Sequence, residues 1–341
     1  MDSPDIDNQT DFEVHPQLFL DRRGERLLVV VKATFLLPSA TRALELAPPE
    51  WARPIRLADE PWGEPEVDSI RYPSDICGHK PGTDVIVVAS AYAPNQVPVP
   101  EFDAYVRVGA LRKAVRVFGL RVWESQGGGL SRARPIDRLD VRYDFAWGGR
   151  DETDPSRVVE EPRNPVGRGV AKHADALTHQ LGPQIEDPDA LIRSASTRPA
   201  PAGLGALGRS FAPRRDHRGT YDDAWKNFRA PLPPTDEKDE MALVASPGLS
   251  ASPPLVGGEE CALLNLSPAG PVAFVLPRVR LELGFEVLRR PDEIVQPFLD
   301  TVLIDTWNTG PEKPAVLEMV WRGSVPAPRR MKDAHVTVSE L

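Results

Sequence analysis

The fold of this chain is decided by the stretch Leu27-Leu28-Val29-Val30-Val31-Lys32-Ala33-Thr34-Phe35-Leu36-Leu37. It is a nearly continuous apolar run rich in β-branched residues, which favour the extended backbone of a strand. A run of this kind predicts a strand that is buried on both faces. Residues 85–92, with the sequence Val-Ile-Val-Val-Ala-Ser-Ala-Tyr, form a second such run. We therefore expect a large β-sheet built around two buried strands.

The other apolar patterns alternate with polar residues and predict half-buried strands. Residues 104–108 and 115–117 alternate on either side of Gly109-Ala110, which predicts a hairpin with a two-residue type II′ turn. The alternation is cleanest at residues 279–287, where a slip of one residue would place charged side chains in the core. Further strands are predicted at residues 141–147, and at 299–305 and 315–322 as a closing pair.

The strand pattern breaks between residues 151 and 255, which are rich in proline, glycine, arginine and aspartate. The chain has 37 prolines, and many of them prevent a helix from continuing, so long helices are not expected. Two short helices are predicted here, at residues 187–195 and 221–228. We therefore predict a mainly β protein, a large antiparallel sandwich or barrel-like domain with a long irregular insertion. This single domain would cover residues 1–341, with N-terminal strands at 17–150, the insertion at 151–255 and C-terminal strands at 256–325.

The charge balance argues against several classes of partner. The 341 residues carry a formal net charge of −9 at pH 7, whereas proteins that bind nucleic acid or anionic membranes need a basic surface. No apolar run approaches the roughly 20 residues of a membrane helix. The acidic N-terminus lacks the features of a signal peptide, and two cysteines do not make a disulfide framework. The sequence therefore predicts a cytoplasmic protein.

No motif in the chain specifies a catalytic centre, a metal or a cofactor. The histidines and cysteines lack the spacing of metal ligands, and there is no Gly-x-Ser-x-Gly nucleophile elbow. We therefore expect a protein that is not an enzyme and has no cofactor. Two alternatives stay open at this point. One is a hydrolase with a carboxylate pair drawn from Asp151, Asp187, Asp222 or Asp223, and the other is a carbohydrate-binding module.

Three segments punctuated by proline and glycine have the most unusual composition, and the first is residues 79–84 with the sequence His-Lys-Pro-Gly-Thr-Asp. Proline fixes φ and glycine permits a positive φ, so the segment predicts a rigid turn before a core strand. The Asp84 carboxylate can bond to backbone N–H groups within such a turn. We predict that Lys80 and Asp84 organise this loop.

The second segment is residues 163–169, with the sequence Arg-Asn-Pro-Val-Gly-Arg-Gly. Two arginines on a turn can present guanidinium groups that bind carboxylates through two hydrogen bonds. We therefore predict Arg163 and Arg168 as partner-binding residues. The alternative, equally open from sequence, is that they pair within the chain with Glu160, Glu161 or Asp187.

The third segment is residues 219–229, in which Tyr221, Trp225 and Phe228 share one face of the predicted helix. An aromatic face of this kind is more often packed in a core than exposed to a partner. Tryptophan and arginine are nevertheless enriched among residues that dominate binding energy. We predict Trp225 and Arg229 as the partner-binding residues of this segment.

In this order the segments resemble one family, the domain of unknown function 2169. The resemblance covers about residues 17 to 325 and consists of short motifs that are specific as a set. The motifs are, in chain order, Val30-Val31-Lys32-Ala33-Thr34-Phe35, Lys80-Pro81-Gly82-Thr83-Asp84-Val85-Ile86-Val87, Ala91-Tyr92-Ala93-Pro94, Val117-Phe118-Gly119, Tyr143-Asp144-Phe145-Ala146-Trp147-Gly148-Gly149, Arg163-Asn164-Pro165-Val166-Gly167-Arg168-Gly169, Glu186-Asp187-Pro188, Arg198-Pro199-Ala200-Pro201-Ala202-Gly203-Leu204-Gly205, Gly219-Thr220-Tyr221-Asp222-Asp223-Ala224-Trp225, Gly257-Gly258-Glu259, Asn265-Leu266 and Trp321-Arg322-Gly323.

This family is associated with bacterial type VI secretion, and its members resemble chaperone-adaptors. The resemblance implies that the chain binds a toxic effector in the cytoplasm and helps to load it onto the spike protein VgrG or its tip. It implies a role as a carrier and not as a secreted toxin, and it brings no catalytic residues. The chain departs from the family pattern at Phe145-Ala146-Trp147 and at Leu120, which affects local packing or polarity more than the assignment.

Overall fold

The computed structural model describes residues 3–38, 44–65, 67–124 and 129–341. The protein is mainly β, as predicted, and the described part contains one short α-helix. None of the sheets within these ranges closes into a barrel, so the core is sandwich-like.

The strands of the described residues are, in chain order, β1 (Asp5–Asn8), β2 (Glu13–Asp21), β3 (Gly24–Leu36), β4 (Glu45–Leu46), β5 (Glu60–Pro61), β6 (Ile70–Tyr72), β7 (Thr83–Val88), β8 (Ser90–Tyr92), β9 (Glu101–Val108), β10 (Leu111–Phe118), β11 (Arg138–Asp140), β12 (Trp147–Gly148), β13 (Arg150–Asp151), β14 (Val159–Glu160), β15 (Arg168–Gly169), β16 (Ile185–Glu186), β17 (Ser250–Ala251), β18 (Glu260–Leu264), β19 (Val272–Val275), β20 (Leu281–Val287), β21 (Glu293–Val295), β22 (Leu299–Asp305), β23 (Val316–Pro326) and β24 (Ala334–Glu340). The helix α1 spans Asp223–Phe228, and short 3-10 helices lie at Pro94–Gln96, Tyr143–Phe145, Ala174–Leu177, Arg214–His217, Asp239–Ala242 and Met331–Asp333.

The largest sheet contains the strand predicted from the opening stretch. Its strand order is β17-β7-β22-β23-β3-β2, with β4 paired to the end of β3. β3 runs antiparallel to both β23 and β2, whereas β7 and β22 are parallel neighbours. β22 and β23 form the closing antiparallel pair that the sequence predicts. β3 is buried from residue 27 to residue 35, which confirms a strand covered on both faces.

The two faces of β3 are buried in different ways. The odd-numbered residues from Leu27 to Phe35 belong to the main hydrophobic core. On the opposite face, Leu28 and Val30 form a smaller apolar cluster with Val320 of β23. Beyond this cluster the second face becomes polar, because the next side chain on it is the ammonium group of Lys32.

A buried ionic network covers the polar part of this second face. The Lys32 Nζ atom lies 2.9 Å from Asp75 Oδ2 and 2.7 Å from Glu318 Oε2, and Arg56 donates two hydrogen bonds of 2.6 Å to Glu318. Burial would raise the pKa of Glu318, but the charges of Lys32 and Arg56 lower it to about 2. The loop segments that carry Arg56 and Asp75 are therefore fastened onto the sheet.

The same network continues across the sheet towards β7. Arg322 donates to the Asp75 carbonyl at 2.7 Å and pairs with Asp300. The Thr301 hydroxyl donates to Asp300 at 2.8 Å and accepts from Lys80 at 2.8 Å. The strands β3, β22 and β23 and their covering loops are thus joined by charged and hydroxyl side chains in the interior.

Two further sheets contain the hairpin and the alternating strand that the sequence predicts. The five-stranded sheet has the order β16-β10-β9-β18-β19, and its hairpin turns at Gly109 (φ +56°), as a type II′ turn requires. The four-stranded sheet has the order β1-β24-β20-β21, and β20 alternates between buried and accessible residues. Here β1 and β24 extend the strands beyond the predicted limits of residues 17 and 325.

The predicted strand at residues 141–147 is wrong, because the chain forms a 3-10 helix at Tyr143–Phe145. The Asp144 carboxylate accepts hydrogen bonds from the backbone N–H of Ser69 at 3.2 Å and from Arg142 Nε at 2.8 Å. The backbone N–H groups of Phe145 and Ala146 bond to the carbonyls of Arg142, at 3.1 Å, and Tyr143, at 3.0 Å, and not to a neighbouring strand. Alternating apolar residues therefore did not identify a strand here.

The predicted helix at residues 187–195 is also wrong. The Asp187 carboxylate accepts a hydrogen bond from Asp189 N at 2.9 Å, which is the geometry of an aspartate turn. Ile192 N donates to the Glu186 side chain at 2.7 Å and not to a helical carbonyl. Side-chain acceptors thus replace the backbone acceptors that a helix would need.

The second buried run, residues 85–92, is divided between two sheets. β7 lies in the seven-stranded sheet, whereas β8 pairs with β11. Ala89 separates the two strands, and its carbonyl accepts from Val141 N at 2.9 Å. The run is buried as predicted, but it is not a single strand.

The predicted helix at residues 221–228 is present as α1. The Asp222 side chain accepts a hydrogen bond from Trp225 N at 2.8 Å and so caps its first turn. The rest of residues 151–255 consists of two-residue strands, 3-10 helices and irregular chain, in agreement with the predicted insertion.

We expect Lys32→Met to lower the free energy of unfolding by about 3–5 kcal/mol, because it leaves buried carboxylates without their cation. Urea unfolding of the purified variant measures this loss. Lys226→Met on the exposed surface of α1 is the control and should change stability by about 0.5 kcal/mol or less. If the two variants are equally stable, the network does not support the fold.

Candidate functional site

The segment 163–169 is fixed in place by one buried side chain. Asn164 Nδ2 donates to the carbonyl oxygens of Tyr143, at 2.9 Å, and Trp147, at 3.0 Å. A Cβ on Gly148 (φ +151°) would lie 2.2 Å from the Asn164 carbonyl, so only glycine permits this approach. The loop is therefore positioned by contacts within the protein.

The two arginines of this loop have different surroundings. Arg163 pairs with Glu161 at 2.6 Å, so the internal pairing that the sequence left open is present for this residue. Arg168 lies over the Phe145 ring, with Cζ 4.6 Å from the centroid, and donates to Gln184 at 3.3 Å. Burial lowers the pKa of Arg168. No carboxylate of the described residues lies within 4.0 Å of Arg168, so its charge is the less satisfied of the two.

Lys80 and Asp84 are buried and bonded to each other at 2.8 Å. Asp84 also accepts hydrogen bonds of 2.8 Å from Val244 N and from the Ser250 hydroxyl. The pair therefore joins the turn at residues 79–84 to the end of the insertion. Both side chains are inaccessible to a partner, which leaves them a role in organising the loop.

Trp225 and Arg229 mainly shape the segment around α1. Trp225 Nε1 donates to the Leu232 carbonyl at 2.9 Å, and Arg229 donates to the carbonyl of Pro233 at 2.9 Å and to that of Arg22. These bonds fold residues 229–233 back against the helix. Both side chains are half-buried, and their polar atoms are largely committed within the chain.

The aromatic face of α1 is exposed, in contrast to the core packing favoured by the sequence pattern. Phe228 is 90% exposed and Tyr221 is 51% exposed. The Tyr221 ring lies 4.6 Å from the Trp225 ring, edge to face. The helix therefore presents apolar surface that no other described part of the chain covers.

Two cavities meet in the insertion, and we call them together the insertion groove. The first, of about 710 Å³, has Pro165 and Val166 of the 163–169 loop in its wall. The second, of about 700 Å³, has Tyr221 in its wall. Arg209 and Ser210 line both cavities, and His79 lines the second, so the groove connects all three segments that the sequence analysis singled out.

The second cavity of the groove is rich in positive charge, although the whole chain carries −9. Its described lining has three carboxylates, Asp21, Glu237 and Asp239, against six cations, Arg22, Arg23, Arg209, Arg214, Arg218 and Lys238. Arg22 and Arg23 share Asp239, at 3.0 and 3.6 Å. Arg214 is buried and donates to the carbonyls of Leu207 and Met241. The cavity therefore offers a positive surface to an acidic partner.

Sequence reasoning missed all six of these cationic residues, and the arginines that it predicted, Arg163, Arg168 and Arg229, line neither cavity. The signal that could have identified them is the basic cluster Arg214-Arg215-Asp216-His217-Arg218 beside the predicted helix. The contribution of Arg22 and Arg23 could not be read from the sequence, because they lie about 190 residues away and reach the cavity only through the fold.

Three of the four carboxylates considered for a hydrolase, Asp151, Asp187 and Asp222, have local structural partners. Asp151 accepts hydrogen bonds from Thr153 and from Lys172 N, and these bonds lower its pKa to about 2. A general acid needs the opposite shift at neutral pH. Asp222 caps α1 and Asp187 holds a turn. At these three positions the carboxylates therefore stabilise the local backbone, and their geometry does not indicate acid–base catalysis.

The described residues also show how other reactive groups are placed. Cys77 and Cys261 are unpaired, and burial raises the pKa of both thiols. No group of three or more histidine, cysteine, aspartate and glutamate side chains within the described ranges is arranged to hold a metal ion. None of the helices described here has the length and apolar character needed to cross a membrane.

The chain belongs to the bacterial family described as "Uncharacterized protein conserved in bacteria (DUF2169)", whose model matches residues 22–322. This match agrees with the resemblance derived from the sequence motifs. No curated protein and no solved structure is significantly similar to the chain.

We expect Asn164→Asp to lower the free energy of unfolding by about 2–5 kcal/mol, because two buried carbonyls lose their donor and face a carboxylate instead. Thermal or urea unfolding measures the loss. Asn227→Asp on the exposed surface of α1 is the matched control and should have little effect. Equal stability of the two variants would contradict the assigned role of Asn164.

Proposed function

We propose that this protein is a cytoplasmic adaptor that binds a type VI secretion effector in the insertion groove and promotes its loading onto VgrG or the spike tip. The observation that carries the binding role is the positive second cavity of the groove beside the exposed aromatic face of α1. The secretion role rests on the resemblance stated in the sequence analysis. The family description itself names no function.

The groove has the features of a protein-binding surface. Its second cavity combines the ring of Tyr221 with cations that lack carboxylate partners in the described chain, notably Arg218 and Lys238, and the exposed Phe228 lies seven residues along the chain from Tyr221. Apolar anchors surrounded by charged residues are typical of interfaces between proteins. An acidic, partly apolar segment of the effector fits this surface, and the positive field would also accelerate its association.

The test is recovery of the tagged protein from a bacterium with active type VI secretion, followed by a high-salt wash and mass spectrometry. We expect one toxin-like effector to be recovered, together with VgrG. In the variant Arg218→Glu/Lys238→Glu, recovery of the effector should fall by about tenfold or more, because the groove then repels acidic groups.

The control is Arg112→Glu/Arg132→Glu, which makes the same change in net charge at exposed positions outside the groove. It should recover the effector as well as the unmodified protein does. Equal loss in both variants would show a general effect of charge and contradict binding in the groove. If neither the effector nor VgrG were recovered from cells that express both proteins, the adaptor function itself would be contradicted.

A further inference from the structure

A pocket of about 590 Å³ opens where the chain passes between two sheets. β20 and β21 pair only as far as Leu283 and Val295. Beyond this point residues 277–281 and 296–299 line the pocket, and β22 joins the seven-stranded sheet instead. The two segments therefore separate like the arms of a fork, and we call this cavity the fork pocket.

The fork leaves backbone groups without partners. Within the described residues, the N–H and C=O groups of Val279 and Gln296 make no hydrogen bond. A free backbone edge of this kind is a template for an added strand. The fork pocket can therefore accept a further extended chain where β21 stops pairing with β20.

The inside of the fork pocket is apolar. Trp321 and Met319 of β23 contribute to its lining and are each 1% exposed, so they form its floor. Val256, which is 77% exposed, and the half-buried Phe298 lie at its rim. An apolar side chain entering here would be surrounded by hydrophobic groups on several sides.

Two arginines give the pocket a positive charge. Arg278 and Arg280 are exposed, and no carboxylate of the described residues lies within 4.0 Å of either. Gly258 (φ +91°) leaves room for the first of them, because a Cβ at this residue would lie 2.6 Å from Arg278 Nε. The motif Gly257-Gly258-Glu259, which the proposed function does not use, thus packs against a guanidinium group beside the pocket.

We propose that the fork pocket binds an extended segment of a partner polypeptide in which apolar residues are flanked by acidic residues. An apolar side chain enters the pocket above Trp321, the backbone pairs with Val279, and the carboxylates bind Arg278 and Arg280. The fork pocket shares no lining residue with the insertion groove. It is therefore a second contact surface, and the proposal does not depend on what the groove binds.

The test uses a peptide labelled with fluorescein at its N-terminus, fluorescein-Gly-Gly-Glu-Val-Leu-Val-Glu-amide, and fluorescence anisotropy with the purified protein. We expect saturable binding, weakened by about tenfold or more in Arg278→Gln/Arg280→Gln, because two charge-assisted hydrogen bonds are lost. The variant Arg112→Gln/Arg132→Gln should bind like the unmodified protein. Both variants change exposed side chains, and their melting temperatures are measured to show that the fold is retained.

Two further probes separate strand pairing and charge from general adhesion. The same peptide with N-methylated backbone amides should not bind, because it cannot donate to the backbone of Val279. The peptide with lysine in place of both glutamates should bind at least about tenfold more weakly. The proposal would be overturned if either probe bound as tightly as the first peptide, or if the first peptide did not bind at all. It would also be overturned if decanoate, an apolar carboxylate without a peptide backbone, bound as tightly as the first peptide.

Discussion

The charge of Lys32 in the middle of an apolar strand is the constraint on which the rest of this structure depends. A buried ammonium group is tolerated only with paired carboxylates, so the fold has to bring Asp75 and Glu318 to it. This requirement draws loop segments onto the second face of the large sheet. Through Arg322, Asp300 and Thr301 the same network reaches Lys80, which pairs with Asp84 at the point where the insertion returns to the sheet. The ionic network therefore supports the insertion as well as the core.

The insertion groove depends on the support that the ionic network gives to the insertion. Irregular chain over residues 151–255 is held by discrete side-chain bonds, such as those of Asn164 and Asp84, and not by long regular elements. Such a scaffold leaves side chains free on its outer surface. The exposed ring of Phe228 and the cations of the second cavity lie on this surface, which is why we place partner binding there. The positive charge is local, because the chain as a whole is acidic.

The sequence predicted the elements whose pattern depends on burial alone. The strand β3, the pair β22 and β23, and the alternation of β20 follow directly from hydrophobic periodicity. It failed at residues 141–147, where the Asp144 carboxylate bonds to the distant Ser69, and at residues 187–195, where aspartate and glutamate side chains bond to the local backbone. It identified the segments that contribute to the groove, but not the groove itself. Arg22 and Arg218 both line the second cavity but are separated by almost 200 residues in the sequence, and only the tertiary fold brings them together.

Hydrogen–deuterium exchange of the protein, alone and in complex with its effector, shows whether the insertion groove holds a protein partner. Exchange should be slower in the complex at residues 208–242, which include α1 and much of the lining of the second cavity. The hairpin of β9 and β10, which lines neither cavity of the groove, should exchange equally in both states. Protection confined to that hairpin or to other distant strands, with exchange at residues 208–242 unchanged, would contradict partner binding in the insertion groove.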